Sequence, residues 1–313
     1  MRRAFVFPGQ GSQTPGMGQA LAAAFPAARE LFEEVDEALS QHLSRLMFEG
    51  PESELMLTEN AQPALLAASL AVIRVLEREA GFDIAQQADY VAGHSLGEYS
   101  ALAAAGALPV AEAARLVRRR GQAMQRAVPV GEGAMAALLG LDIEAAHAVA
   151  AAAAQGQVCD LANDNSPGQI VVSGHRAAVE RAVALAAEHG SRRAIMLPVS
   201  APFHCSLMRP AAEIMIEALA ETAIEAPRVP LVANAAAAAV SDPEEIKSLL
   251  VEQTTRMVRW RESVLLFAAN EVEEVVEIGA GRVLAGLVKR IDRKLSALSV
   301  GTPAEIEALV QRL

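Results

Sequence analysis

Gly93-His94-Ser95-Leu96-Gly97 is a G-x-S-x-G sequence set between a predicted strand, 89–93, and a predicted helix, 95–105. In that setting the pattern describes a nucleophile elbow. The glycines let the chain turn sharply, so the Ser95 hydroxyl stands exposed above a sheet. The helix N-terminus and the backbone N–H of Leu96 favour a developing oxyanion. The plainer alternative is a tight turn with Ser95 as the helix N-cap. A serine nucleophile needs a base, and the chain offers six histidines. His42, His147, His175 and His189 sit in or beside polar helical stretches and read as surface residues. His94 adjoins Ser95, but a neighbour on a sharp turn points elsewhere. His204 follows Pro198-Val199-Ser200-Ala201-Pro202-Phe203, a kinked loop after a predicted strand, where α/β folds place site residues. Alone it reads as a structural loop histidine; beside Ser95 it becomes the best base. Cys205 is a rival nucleophile, but nothing around it lowers its pKa, and it reads as an inert small residue.

Two glycine loops and an arginine run complete the inventory. Phe7-Pro8-Gly9-Gln10-Gly11-Ser12-Gln13 follows the first strand, but the third glycine of a dinucleotide fingerprint falls on Thr14. A loop offering N–H groups at a strand's carboxyl end suits a second oxyanion donor instead. Gly279-Ala280-Gly281 fails the same fingerprint at Leu284. Arg118-Arg119-Arg120 lies in a predicted helix, 110–127. There Val110, Ala113, Val117, Gly121, Met124 and Val128 form one apolar stripe. Arg120 flanks that stripe, whereas Arg118 and Arg119 turn away to solvent. A partly buried arginine needs an anion, and its planar fork suits a carboxylate. No acid lies nearby in sequence, so a ligand carboxylate is one reading and a solvated charge run the other.

The elements that must position these residues alternate. Strand 4–7, helices 17–39 and 61–80, strand 89–93 and helices 95–105 and 109–127 imply right-handed βαβ units and a parallel sheet. Strand 134–139, helix 142–153, strand 158–162, a turn at 163–168, strand 169–173, helix 176–188 and strand 192–197 follow. That β-α-β-β-α-β order is ferredoxin-like. Residues 128–197 are therefore read as an inserted small domain in an α/β domain of 1–127 and 198–313. The α/β pattern resumes with helix 206–221, strand 229–233, helices 243–253 and 261–269, strand 273–278, helix 281–290, strand 296–300 and helix 303–312.

Composition excludes several function classes. The 313 residues carry 27 Lys and Arg against 38 Asp and Glu, a net charge of −11. That balance argues against a general nucleic-acid or anionic-membrane surface. Aromatics at 4% make base-stacking platforms improbable. Two cysteines exclude a disulfide scaffold and a cysteine-based zinc site, and fit a reducing compartment. The apolar stretch after Met1-Arg2-Arg3 ends at Pro8-Gly9, too short for a signal segment, and no stretch reaches the roughly 18 apolar residues of a membrane span. A soluble cytoplasmic protein is expected, binding neither nucleic acid nor membrane.

Taken in order, these residues resemble the malonyl-CoA:acyl-carrier-protein transacylases of fatty acid synthesis, over essentially the whole chain. The resemblance rests on Phe-Pro-Gly-Gln-Gly-Ser-Gln at 7–13, Gly-His-Ser-Leu-Gly-Glu at 93–98, and Arg120-Gly121 before Met124-Gln125. It continues through Asn165-Ser166-Pro167-Gly168-Gln169, Pro198-Val199-Ser200 with Phe203-His204, and Gln253 before Val258-Arg259-Trp260. It implies a hydrolase-like α/β core with a ferredoxin-like insert. It implies Ser95 as acyl-carrying nucleophile, His204 as base, Gln10 and the Leu96 N–H as oxyanion region, and Arg120 as clamp for the malonyl carboxylate. It implies that a backbone carbonyl at Gln253, grouped with the substrate-binding residues, orients the histidine in place of a triad acid. Asn163 falls where the family has a small-domain residue near the site, although a turn-forming role fits equally, and Phe203 resembles malonyl-selective members. Met257, where Pro or Gly is common, and the Ala235–Ala239 run depart from the pattern and bear on loop conformation. Malonyl-CoA and acyl carrier protein are the partners implied, with no metal or redox cofactor, and a monomer is expected. Two enzymes share much of this pattern: a serine esterase or thioesterase, and the acyltransferase subunit of a malonate decarboxylase. A non-catalytic acyl- or nucleotide-binding module is the reading outside enzymes, opposed by the intact Ser95 and His204.

Overall fold

The computed structural model describes all 313 residues, Met1–Leu313. Ten strands are numbered in chain order: β1 (Arg3–Phe7), β2 (Tyr90–Gly93), β3 (Gly133–Leu139), β4 (Cys159–Ser166), β5 (Gln169–His175), β6 (Arg193–Met196), β7 (Leu231–Ala233), β8 (Ala238–Val240), β9 (Glu274–Ile278) and β10 (Ser296–Val300). They form two sheets, so the chain is a mixed α/β protein. One sheet has the order β10-β9-β1-β2-β7-β8. Its strands are parallel except for β8, which forms a hairpin on β7. Every residue of β1 is buried, as a strand covered by helices on both faces must be. The apolar helix Thr58–Ala80 and helices Pro26–Leu39 and Val110–Ala127 pack on one side of this sheet.

The second sheet has the order β4-β5-β3-β6 and is antiparallel throughout. Alternation along its strands divides its faces. Ala134, Ala136 and Leu138 of β3 and Ile170 and Val172 of β5 pack under helices Ile143–Ala154 and Arg176–Leu185. Met135, Ala137 and Val171 face the other way, against Met124 of helix Val110–Ala127 and against Phe203. That second face closes over the carboxyl end of the large sheet.

The elements follow the sequence reading with instructive exceptions. The turn expected at 163–168 is confined to Pro167-Gly168, and β4 runs on to Ser166 with register shifts near Asn163 and Asp164. Tertiary pairing overrides the turn-forming residues: Asn163 bridges Val258, and Asp164 forms a 2.7 Å ion pair with Arg261. The Ala235–Ala239 run enters the β8 hairpin, an edge strand its composition does not suggest. Short helices at Leu43–Glu49, Glu52–Leu55 and Ile84–Gln87 have no clear periodic signal. No helix is long and apolar enough to cross a membrane.

Candidate active site

β2 ends at Gly93, and the chain turns through Ser95 into helix Gly97–Ala104. The turn is packed too tightly for side chains at its ends. A Cβ on Gly93 would fall 1.9 Å from the Gly97 carbonyl carbon, and one on Gly97 would fall 2.2 Å from the Phe7 carbonyl oxygen. Ser95 itself sits in the left-handed region at φ 53°. Asn234, just after β7, holds it there: its Oδ1 accepts from Ser95 N at 2.7 Å and its Nδ2 donates to Gly93 O at 2.7 Å.

Ser95 Oγ lies 2.8 Å from His204 Nε2, and His204 Nδ1 lies 2.7 Å from the main-chain oxygen of Gln253. A carbonyl only accepts, so Nδ1 carries the proton and Nε2 presents its lone pair to the serine hydroxyl. The carbonyl orients the ring without supplying negative charge. Burial, joined by the positive charge of Arg120, pushes the His204 pKa down to about 3. The neutral ring is thus the resting form, and the pair can pass the Ser95 proton to His204.

Arg120 is 1% exposed, more deeply buried than its place beside the helix stripe suggested. Its Nη1 donates to Gln62 Oε1 at 2.8 Å. Its Nη2 donates to Gln253 Oε1 at 2.7 Å and to Ser95 Oγ at 3.0 Å. No carboxylate pairs with it directly, and its guanidinium carbon lies 5.6 Å from the Tyr99 ring centroid. Burial lowers its pKa, but a guanidinium keeps its proton. A desolvated cation held only by neutral groups is a receptor for an anion.

These groups open on a cavity of about 400 Å³. Gln10, His94, Ser95, Arg120, Asn163, Asn165, Phe203 and His204 line it, with Met124, Met135, Val171 and Leu197 as apolar walls. The amide N–H groups of Leu96 and Gln10 have no acceptor within the chain and stand free on the loops beside Ser95. The Gln10 side chain joins a relay leading back to the arginine. Its Oε1 accepts from Thr58 Oγ1 at 3.0 Å, and that oxygen accepts from Gln62 Nε2 at 3.0 Å. No cluster of three or more His, Cys, Asp or Glu side chains is arranged to hold a metal ion.

The site therefore brings together Gln10, Ser95, Leu96, Arg120, Asn163, Phe203 and His204. Gln253 needs correction as a substrate-binding residue. It is fully buried and absent from the cavity wall, because its side chain is spent on Arg120 and on Ser95 O, to which its Nε2 donates at 2.9 Å. Asn163 lies in strand β4, so its turn-forming role is also set aside. Arg118 and Arg119 are half-buried and not turned free to solvent: Arg118 bonds Gln41, and Arg119 reaches Glu221 at 2.9 Å. His42, His147 and His189 are exposed, whereas His175 is half-buried and its Nδ1 accepts from Val158 N at 2.9 Å. His94 does turn away from Ser95, with Nε2 2.8 Å from Asn165 Oδ1, yet its ring still lines the cavity. Burial pushes the Cys205 thiol up to about 11, and Sγ donates to Pro202 O, so it stays an unreactive thiol. Glu98, Asn234, Gln62 and Thr58 were missed. For Glu98, Gln62 and Thr58 the one available signal is a polar side chain within an otherwise apolar helical run, and for Asn234, in the turn after β7, there is none.

The acyl transferase domain family matches residues 4–305. A malonyl CoA-acyl carrier protein transacylase of Bacillus subtilis is 49% identical over 99% of this chain and 96% of its own length. Among solved structures, an acyl-carrier-protein-S-malonyltransferase of Bartonella henselae superposes with a TM-score of 0.97 at 54% identity, covering 100% of this chain and 99% of that one. A malonyl-transacylase in complex with a type II PKS acyl-carrier protein superposes at 0.96 with 43% identity, each chain covered in full.

Proposed function

The chain belongs to the acyl transferase domain family, and from that premise we propose that it transfers a malonyl group from malonyl-CoA to the pantetheine thiol of acyl carrier protein, supplying fatty acid synthesis. The transfer runs in two halves through a malonyl-Ser95 ester. His204 Nε2 takes the Ser95 proton as Oγ attacks the thioester carbonyl. The oxyanion faces the free N–H groups of Leu96 and Gln10. The C–S bond breaks, and the CoA sulfur leaves with the proton from His204. In the second half His204 takes the carrier thiol's proton while the sulfur attacks the ester. The Ser95 C–O bond then breaks and the proton returns to Ser95. Arg120 holds the malonyl carboxylate.

The observation that carries this reading is the placement of Arg120. It is a buried cation with no acidic partner, 3.0 Å from the hydroxyl of a serine paired with a neutral histidine. A simple esterase has no use for a desolvated cation at that distance; an acyl group ending in a carboxylate does. No step calls for a metal or redox cofactor. In this reading residues 1–127 and 198–313 are a hydrolase-like core, and 128–197 a ferredoxin-like small domain whose Asn163 and Phe203-facing wall closes over the acyl group. The protein works in the cytoplasm as a monomer, apart from nucleic acid and membranes.

Intact-protein mass spectrometry tests the proposal. Mixing with malonyl-CoA should give a malonyl adduct on Ser95 that persists in water and is cleared by the holo carrier protein. Clearance by water at the same rate would make the protein a hydrolase.

A further inference from the structure

Glu98 is the one buried acid of the site that the mechanism leaves unused. It lies in the first turn of the helix after the Ser95 elbow and is 1% exposed. Both of its oxygens accept. Oε1 accepts from the main-chain N–H of Asn234 at 3.3 Å, and Oε2 from the side-chain Nε2 of Gln253. Asn234 is the residue that holds the Ser95 turn. Gln253 is the residue whose carbonyl orients His204 and whose Oε1 holds Arg120.

A side-chain amide is nearly symmetric in shape but not in chemistry: one end donates, the other accepts. Gln253 can present oxygen to Arg120 only if its NH₂ end is engaged opposite. Two acceptors engage it there, Ser95 O and the Glu98 carboxylate. A direct Glu98–Arg120 ion pair would occupy the guanidinium and compete with an acidic ligand. With the amide interposed, Glu98 sits close to Arg120 without occupying its guanidinium, and Arg120 still lines the cavity. Burial raises the Glu98 pKa to about 8, and the Gln253 and Asn234 donors and the Arg120 charge pull against that rise without cancelling it. Both oxygens face N–H donors, so any carboxyl proton must point away from Asn234 and Gln253, and toward those two groups the carboxyl acts only as an acceptor.

We propose that Glu98 is a positioning residue: its carboxyl group, accepting through both oxygens, orients the Gln253 amide toward Arg120 and anchors Asn234 beneath Ser95. This rests on the transferase reading for its substrate, though not for its geometry. Glu98→Gln is isosteric but turns one acceptor into a donor, so one of the two N–H groups loses its match.

The test uses wild type, Glu98→Gln, Gln253→Met and the double variant. Gln253→Met keeps the carbonyl that orients His204. The malonyl-to-acetyl ratio of acylation rates should fall about five- to a hundredfold in Glu98→Gln, the range set by one unmatched buried donor. In the Gln253→Met background, Glu98→Gln should change that ratio no further. A residue that merely fills space would shift thermal stability and leave the ratio alone. An unchanged ratio in folded Glu98→Gln, or a full additional drop in the double variant, overturns the proposal. If Glu98→Gln does not fold, Glu98→Asp is read instead, since its carboxylate is too short to meet both donors and should lower the ratio likewise. A neutral fluorophosphonate supplies an arm independent of substrate, because it reports on Ser95 and His204 alone. Its labelling of Ser95 should slow several-fold in Glu98→Gln. Wild type that takes no malonyl, with labelling still slower in Glu98→Gln, would defeat the transferase reading and keep the role of Glu98; equal labelling rates in the two proteins would defeat the role of Glu98.

Discussion

The two sides of the cavity are built on different principles. On the polar side, Ser95, Arg120 and His204 are each held by hydrogen bonds of 2.7–2.8 Å to buried partners. On the other side the small sheet presents Met135 and Val171, with Leu197 and Phe203 beside them. Of its asparagines, Asn165 bonds His94 and Asn163 lines the cavity. Hydrogen bonds are directional and fall off steeply with misalignment, whereas apolar packing is graded in volume. Change on the polar side should therefore act on the reaction by orders of magnitude, and change on the apolar side by small factors.

The sharpest break of that contrast is at the nucleophile. Ser95→Ala should abolish the malonyl adduct, and His204→Ala should lower kcat/KM on the order of 10⁴-fold or more, since the pair acts as one unit. Mass spectrometry and steady-state rates check both. A covalent malonyl group surviving in Ser95→Ala, with Cys205 as its carrier, would remove the polar side from the chemistry altogether.

Next in size is the clamp. Truncating one member of a buried charge pair costs roughly 2–5 kcal/mol. Arg120→Ala should thus lose about 30- to several-thousand-fold in malonyl transfer. Acetyl transfer lacks the carboxylate contact and should hold or improve, so the specificity ratio collapses toward one. Arg120→Lys should recover part of it, because an ammonium lacks the bidentate fork. Arg118→Ala and Arg119→Ala, which break contacts to Gln41 and Glu221, should leave the ratio alone. A changed ratio in either neighbour, with Arg120→Ala unaffected, would misplace the clamp.

How much of this could be read in the chain follows the same division. The elbow was legible because its geometry is local: five consecutive residues encode the turn, the nucleophile and one oxyanion donor. Arg120 was legible through helical phase, although its partners were not. Asn234 and Glu98 were illegible because their bonds close across 139 residues to Ser95 and 155 residues to Gln253. A lone polar side chain in sequence carries no trace of such a partner. Strand β4 was cut short for the same reason, since Val258 and Arg261 straighten a segment whose own residues favour a turn. The small sheet was legible as elements because period-two alternation is local, and its facing toward the cavity was not.

A smaller effect is expected with pH. The folded His204 pKa, about 3, lies below the ordinary 6.5. The neutral ring therefore favours the fold at and above pH 6.5, and that contribution is lost as pH falls toward 3. Fluorophosphonate labelling of Ser95 should accordingly show no inflection at 6.5, where an ordinary imidazole would lose about half its base form. Repeating the profile in Glu98→Gln separates the histidine from the buried acid. An inflection near 6.5 in both proteins would mean that His204 is solvated and the polar side open to water.

The smallest effect should come from the apolar side. Met135 is buried in the face of β3 that meets Met124 and Phe203, and its side chain offers the site only volume. Met135→Ala removes apolar contacts and enlarges the cavity, at a stability cost of about 2–5 kcal/mol for a core methionine. Calorimetric unfolding should register that loss. The malonyl-to-acetyl ratio should not: Ser95, His204 and Arg120 keep every bond that orients them, so the two transfers change together and their ratio stays within about twofold of wild type, well under the tenfold that 1.4 kcal/mol represents. The added room should instead raise the transfer rate of acyl groups branched next to the thioester. Measuring malonyl, acetyl and branched acyl donors on one preparation separates the two kinds of control. A ratio that collapses in Met135→Ala as it does in Arg120→Ala would show that the apolar side positions the carboxylate too, and the contrast between the two sides would fail.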